Sequence, residues 1–266
     1  MIKLDKEYTV YVSSSDAYSD IWDLFFDLFK KYWSGFDGQI VLNTETKSYH
    51  RPDLNIVCTQ VGELGAFGKT FRAGLDKIAT DAVLLIMIDY IFMGDVDVRK
   101  LDAYFNFFQS NDLDSLCLAA QYYPNRLPSQ QEDLVLVHPP APNVMFSYQV
   151  AFWKKAVLRE MALPHENPWM SEWFGTRRAE KMRIKLAAVK TKRDAPITYD
   201  LKGCLHQGKW LQNAVDFLNG IQYHGIDFSR RGIYTNEYQT LLFRFKLKYT
   251  IWKTGLKGSY WDLIKR

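Results

Sequence analysis

Glycine is missing from the segment after the first strand-like run. Residues 13 to 20 read SSSDAYSD, so a glycine-rich loop that wraps phosphate with backbone amides is not encoded there. Long apolar runs are missing too. The longest, Ala82 to Ile88, falls far short of the roughly 20 residues a spanning helix needs. Cysteine is scarce and odd in number: Cys58, Cys117 and Cys204, each within or beside an apolar run, are expected to be reduced and buried, as in a cytosolic protein. The five histidines are scattered, and no Cys/His pair has zinc spacing. A net charge of +4 on 266 residues is too small for a long nucleic-acid footprint, so no nucleic-acid partner is expected. The start, MIKLDKEYTV, runs directly into a strand pattern and does not predict a signal peptide. Internal repeats and low-complexity stretches are also lacking.

What is abundant is aromatic surface, 15% of residues with 16 Tyr and 8 Trp, which serves core packing and fits a cleft that stacks on rings or sugars. The chain is organised around Thr80 to Asp97, TDAVLLIMIDYIFMGDVD. Val83 to Ile88 is apolar throughout, the pattern of a central strand covered on both faces by helices. It stops on Asp89. Ligands of open α/β sheets bind outside the carboxyl ends of strands, so this acid either faces a crevice or simply ends the strand.

Upstream, Tyr8 to Val12 predicts a strand, and Ile21, Phe25, Leu28, Phe29 and Tyr32 a helix. The loop Ser13 to Asp16 between them either caps that helix or offers hydroxyls and a carboxylate to a ligand. Gln39 to Leu42 and Asn55 to Thr59 predict short strands, and Phe71, Leu75 and Ile78 a helix that also carries Arg72. This alternation predicts a doubly wound sheet. Asp95-Val96-Asp97 has the spacing of a metal-binding acid pair, but Asp97 is better explained as the cap of a helix beginning at Val98. Ser115 to Ala120 and Leu134 to Val137 predict strands, the latter within a mostly loop region holding five of the nine prolines. Phe146 to Phe152 reads as extended and Lys154 to Met161 as a helix. Asn167-Pro168-Trp169 then starts another helix, with Glu172 one turn in. A glutamate there, if buried, has the raised pKa a general base needs; if exposed, it only complements the helix dipole. Met182 to Ala188 predicts a strand, and Lys209 follows Gly208 in a turn. From Arg230 onward basic residues far outnumber the two acids, Glu237 and Asp262. With Leu241, Leu242, Phe245, Tyr249 and Trp252 on one face, this tail predicts a helix suited to a membrane surface or to a dimer contact.

The segments FGKTFRAGLDKIATDAVLLIMIDYIFM, YQVAFWKKAVL, ENPWMSEWFG and QGKW together resemble bacterial glycosyltransferases of the GT-A type, more narrowly those of surface polysaccharide or lipopolysaccharide assembly. The resemblance covers most of residues 8 to 215. It implies a Rossmann-like, mixed but mainly parallel sheet flanked by helices, with residues 1–220 as the transferase domain and 221–266 as a C-terminal helical extension. It implies transfer of a sugar, with inversion, from a nucleotide-diphosphate donor to a glycan or lipid-linked acceptor, in the cytoplasm or at the inner face of its membrane. Ser13, Ser14, Asp16 and Arg72 would hold the donor nucleotide, Asp89 a divalent ion, Mn²⁺ or Mg²⁺, on the diphosphate, Glu172 would be the catalytic base, and Trp153, Trp169 and Trp173 would stack on sugars. Met87 and Ile88 stand where the family pattern has acids, so Lys209, Arg177 or Arg178 could take the leaving group's charge in place of a metal. The missing acids also fit a second reading, a degenerate member that binds nucleotide sugar or glycan without turnover.

Overall fold

The computed structural model describes residues 7–121, 123, 125–137 and 146–235. In chain order these form β1 (Tyr8–Ser13), α1 (Trp22–Tyr32), β2 (Gln39–Leu42), β3 (Asn55–Cys58), α2 (Phe67–Leu75), β4 (Ala82–Met87), α3 (Val98–Ser110), β5 (Ser115–Cys117), β6 (Arg126–Pro128), β7 (Leu134–Val137) and β8 (Ala151–Lys154). There follow α4 (Lys155–Met161), α5 (Pro168–Met182), β9 (Leu186–Val189), β10 (Leu205–His206), β11 (Lys209–Trp210) and α6 (Gln212–Gly220). Nine strands make one sheet in the order β3-β2-β1-β4-β8-β5-β9-β7-β6. The first four are parallel; β8 runs against both β4 and β5, β9 lies parallel to β5, and β7 and β6 complete the edge antiparallel to their predecessors. This is the mixed, mainly parallel sheet expected.

Side chains on a strand alternate between its faces, and β4 shows why an unbroken apolar run was needed. Leu84 and Ile86 pack with α1, α3 and α6, while Val83 and Leu85 pack with α2, α4 and α5. The aromatic excess goes largely into the first of these layers, where Phe25, Phe29, Trp33, Phe36 and Phe92 pack in tilted and edge-on pairs with ring centroids 4.6–6.4 Å apart. Burial of each such side chain contributes about 1.5–3 kcal/mol. Cys117 and Cys204 are buried, Cys58 is half-buried, and all three are free thiols.

Helix starts follow local chemistry. Asp97 accepts from the Lys100 amide at 3.0 Å and caps α3, the role expected for it. Asn167 accepts from the Met170 amide at 2.9 Å, with Pro168 in the first turn of α5. The strand predicted from Met182 begins only at Leu186, because α5 continues to Met182 and ends on Arg183 in the left-handed region, φ 52°. The turn around Gly208 joins a small hairpin, β10–β11. Residues 221–235 remain packed on the rest: Tyr223 donates to Asp27 at 2.8 Å, and Trp210 exchanges backbone bonds with Gly232 and Tyr234. The tail proposed for a membrane or dimer contact, including Leu241 to Trp252, lies outside the described residues. Among those described, no helix is long and apolar enough to cross a membrane.

Candidate active site

The carboxyl ends of β1, β2 and β4 open onto a two-part cleft. One part, about 560 Å³, lies between the loop after β1 and the start of α2 and is lined by Ser14, Asp16, Asn43, Glu45, Phe67 and Thr70 among others. The other, about 330 Å³, sits over the end of β4. The two share Ser14, Ser15, Tyr18 and Phe67. Of the residues singled out in the sequence, Ser13, Ser14, Asp89, Trp169 and Glu172 all line the second part, although they come from β1, β4 and α5.

The structure assigns several of them particular duties. Ser14 Oγ accepts from the Trp22 indole N–H at 2.8 Å, fixing the loop against α1. Asp16 receives the backbone amides of Glu45, Thr46 and Lys47 at 2.9–3.0 Å and the Thr46 hydroxyl at 2.7 Å. Burial works against its charge, but these donors hold the carboxyl below its ordinary range. Asp16 is therefore a brace joining the loops after β1 and β2, with its acceptor capacity largely used. Glu172 is half-buried, one turn into α5, and its Oε1 accepts from the Tyr148 amide at 2.8 Å. Burial raises its pKa, and the Tyr148 bond partly offsets this.

Four expectations need correction. Arg72 is not at the cleft: its guanidinium is hydrogen-bonded to the carbonyls of Arg159 and Ala162 on the far side of α2. Trp153 is 1% exposed in β8, edge-on to Phe146 with centroids 5.5 Å apart, and cannot meet a sugar; Trp169, 63% exposed at the cleft mouth, can. Arg178 is consumed by Glu166, at 2.7 and 2.6 Å to its two oxygens. Lys209 is exposed on β11 and does not line either cavity, whereas Lys202, His206 and Gln207, just before it, do. Those residues, with Tyr18, Tyr90 and Tyr148, were missed. The available signal was Gly203 and Gly208 in LKGCLHQG, two glycines that mark a turn on each side of the cleft-lining segment.

Asp89 is half-buried beneath the turn that contains Gly203, and its carbonyl accepts from the Cys204 amide at 2.7 Å. Burial pushes its carboxyl from the ordinary 3.8 to about 7. Mn²⁺ or Mg²⁺ requires several oxygen ligands. Asp89 is flanked by Met87 and Ile88, and among the described residues no group of three His, Cys, Asp or Glu side chains is placed to hold a metal. The donor set does not fit a divalent cation.

A carboxyl raised in the folded state favours the protonated form there. Its contribution to stability is complete below about pH 4 and is lost as pH rises through about 7. Asp89→Asn, which mimics the neutral form, is therefore expected to stabilise more at pH 8 than at pH 5. The two pH units between 5 and the folded value of about 7 set a ceiling of about 3 kcal/mol on that difference, at 1.36 kcal/mol per unit. Solvent in the cleft reduces this to roughly 2 kcal/mol. Denaturant midpoints of both proteins at the two pH values check it, and an equal difference at both would contradict it.

No family model matches the chain, and no curated protein matches it. Solved structures do share its fold. S. aureus TarS 1–349 in complex with UDP is similar over 70% of this chain and 58% of that one, with 16% identity and a TM-score of 0.50. A second structure of S. aureus TarS 1–349 aligns over the same shares with 15% identity and a TM-score of 0.47. The bifunctional IspDF from Campylobacter jejuni aligns over 74% of this chain and 48% of that one, with 12% identity and a TM-score of 0.36. The chain thus spans less than two thirds of the length of these structures. The likeness to the UDP-bound TarS structure shows the fold alone, a Rossmann-like mixed sheet flanked by helices.

Proposed function

We propose that the protein is a glycosyltransferase that moves a sugar from a nucleotide-diphosphate donor to a hydroxyl of a glycan or lipid-linked acceptor in surface polysaccharide assembly. The observation that carries this reading is Glu172: a half-buried carboxylate with a raised pKa, beside an exposed tryptophan, in the cleft at the carboxyl ends of β1 and β4. The shared architecture with the UDP-bound TarS supports it.

In this reading the larger cavity, framed by Asn43, Glu45 and Thr70, receives the nucleoside, and the smaller receives the diphosphate and sugar. Ser14 and Ser15 line the passage between them, and Ser13 lines the smaller. Glu172 takes the acceptor's proton as its oxygen attacks C1, and Trp169 offers a flat apolar face for the acceptor ring. Attack opposite the departing diphosphate inverts the anomeric centre. A thermal-shift screen against the common nucleoside diphosphates tests the donor assignment. One nucleotide at 100 times its Kd is expected to add roughly 2.7 kcal/mol of stability, and a midpoint unmoved by every nucleotide would overturn the assignment.

A further inference from the structure

A diphosphate leaving group builds up negative charge as its bond to the sugar breaks, and a transferase must answer that charge with a preorganised positive one. This inference rests on the nucleotide-sugar reading of the cleft, and concerns which group supplies the charge. The end of β4 is poorly built for a metal. A Cβ placed on Gly203 would lie 2.7 Å from Asp89 Oδ2 and 3.1 Å from its Cγ, so the glycine backbone is packed directly on the carboxyl. Gly203 has φ +77°, a conformation that glycine adopts without strain. The Asp89 carboxyl thus serves as the floor for a turn.

That turn presents Lys202. The Gly203 amide donates to the Asp200 carbonyl at 2.8 Å, and the Lys202 amide to Asp200 Oδ1 at 2.9 Å. Just beyond, the Cys204 amide is held by the Asp89 carbonyl, and the Cys204 carbonyl by the Leu211 amide at 2.9 Å. The backbone is fixed on both sides, while the Lys202 side chain is exposed on the cleft wall. Among the described residues lining either cavity, Lys202 is the one Lys or Arg. Basic groups nearby are committed elsewhere. Arg231 is bound to Asp20 and to the carbonyls of Gly208 and Ala17, and Lys47 to the Asp16 carbonyl and Ser19.

We propose that Lys202 meets the donor's diphosphate, and that the turn seated on Asp89 takes the place of a divalent cation. As the acceptor oxygen bonds to C1, the bond from C1 to the diphosphate oxygen breaks and its electron pair stays on that oxygen. The Lys202 ammonium offsets the charge that develops, and the acceptor's proton passes to Glu172.

The test is isothermal titration of wild type, Lys202→Ala and Lys202→Arg with UDP, GDP, CDP, ADP and dTDP and the matching monophosphates, each in EDTA and in Mn²⁺. In EDTA, one diphosphate is expected to bind wild type at least about tenfold more tightly than its monophosphate, the scale of a charge-assisted bond. Lys202→Ala should erase that preference without weakening the monophosphate, Lys202→Arg should keep most of it, and Mn²⁺ should change neither. Lys202 is exposed, so its replacement leaves the core untouched. If the preference survives in Lys202→Ala, or appears only with Mn²⁺, the assignment of Lys202 falls and the nucleotide reading stands. If no diphosphate binds in any condition, both fall.

Discussion

Glu172→Gln is expected to lower sugar transfer by about 10²–10⁴-fold, the usual contribution of a positioned general base, while donor binding is unchanged. The substitution keeps the side chain's size and its carbonyl oxygen, so the bond from the Tyr148 amide can persist. What it removes is the capacity to take a proton. The pH profile gives an independent check. Because burial raises the Glu172 pKa, the acid limb of the wild-type rate should lie above that of an ordinary glutamate, with activity lost as pH falls through it. Rates measured from pH 4 to 8, alongside thermal shifts with donor, read both quantities. A Gln variant that turned over within a few-fold of wild type would remove Glu172 from the mechanism.

Arg178→Met is expected to cost about 3–5 kcal/mol of stability, the cost of leaving a buried charge without its partner. Glu166 is 1% exposed, and both its oxygens take Arg178 guanidinium donors. The same residue receives the Leu163 amide on its carboxylate at 3.1 Å and the Gly68 amide on its carbonyl at 3.1 Å. Glu166 thus ties the α4–α5 loop to Arg178 of α5 through its carboxylate and to the start of α2 through its backbone carbonyl, beside Glu172 and Trp169. Urea midpoints measure the loss. Adding Glu166→Gln to Arg178→Met should recover much of it, since the stranded charge is then gone. A loss below 1 kcal/mol in the single variant would show that the pair does not anchor this loop.

The parts of the fold that depend on short-range pattern were legible in the sequence. The apolar run of β4 could only be a strand covered on both faces, and Asp97 and Asn167 announced their helices by residue type and position. Asp89, Glu172, Trp169, Ser13 and Ser14 were found because each sits at the end of a strand or the beginning of a helix, where sheet topology determines exposure. The failures share a different cause. Arg72, Arg178 and Trp153 have the right chemistry, but their partners, the carbonyl of residue 159, Glu166 and Phe146, are set by tertiary packing. Lys209 was singled out although Lys202 is the lysine that lines the cleft, because the hairpin register that places His206 opposite Lys209 could not be read from so short a segment. Asp16 lines the larger cavity, yet its saturation by the amides of residues 45 to 47 depends on how two distant loops meet.

The insertion of β8 between β4 and β5 bears on how the chain is made. Residues 82–87 and 115–117 both pair with residues 151–154, which emerge from the ribosome later than either. Until they do, the parallel strands β3-β2-β1-β4 present a bare hydrogen-bonding edge at β4, and β5 lacks both of its neighbours, β8 and β9. Synthesis past residue 154 therefore joins β5 to that half, and the sheet is complete only when residues 186–189 enter between β5 and β7.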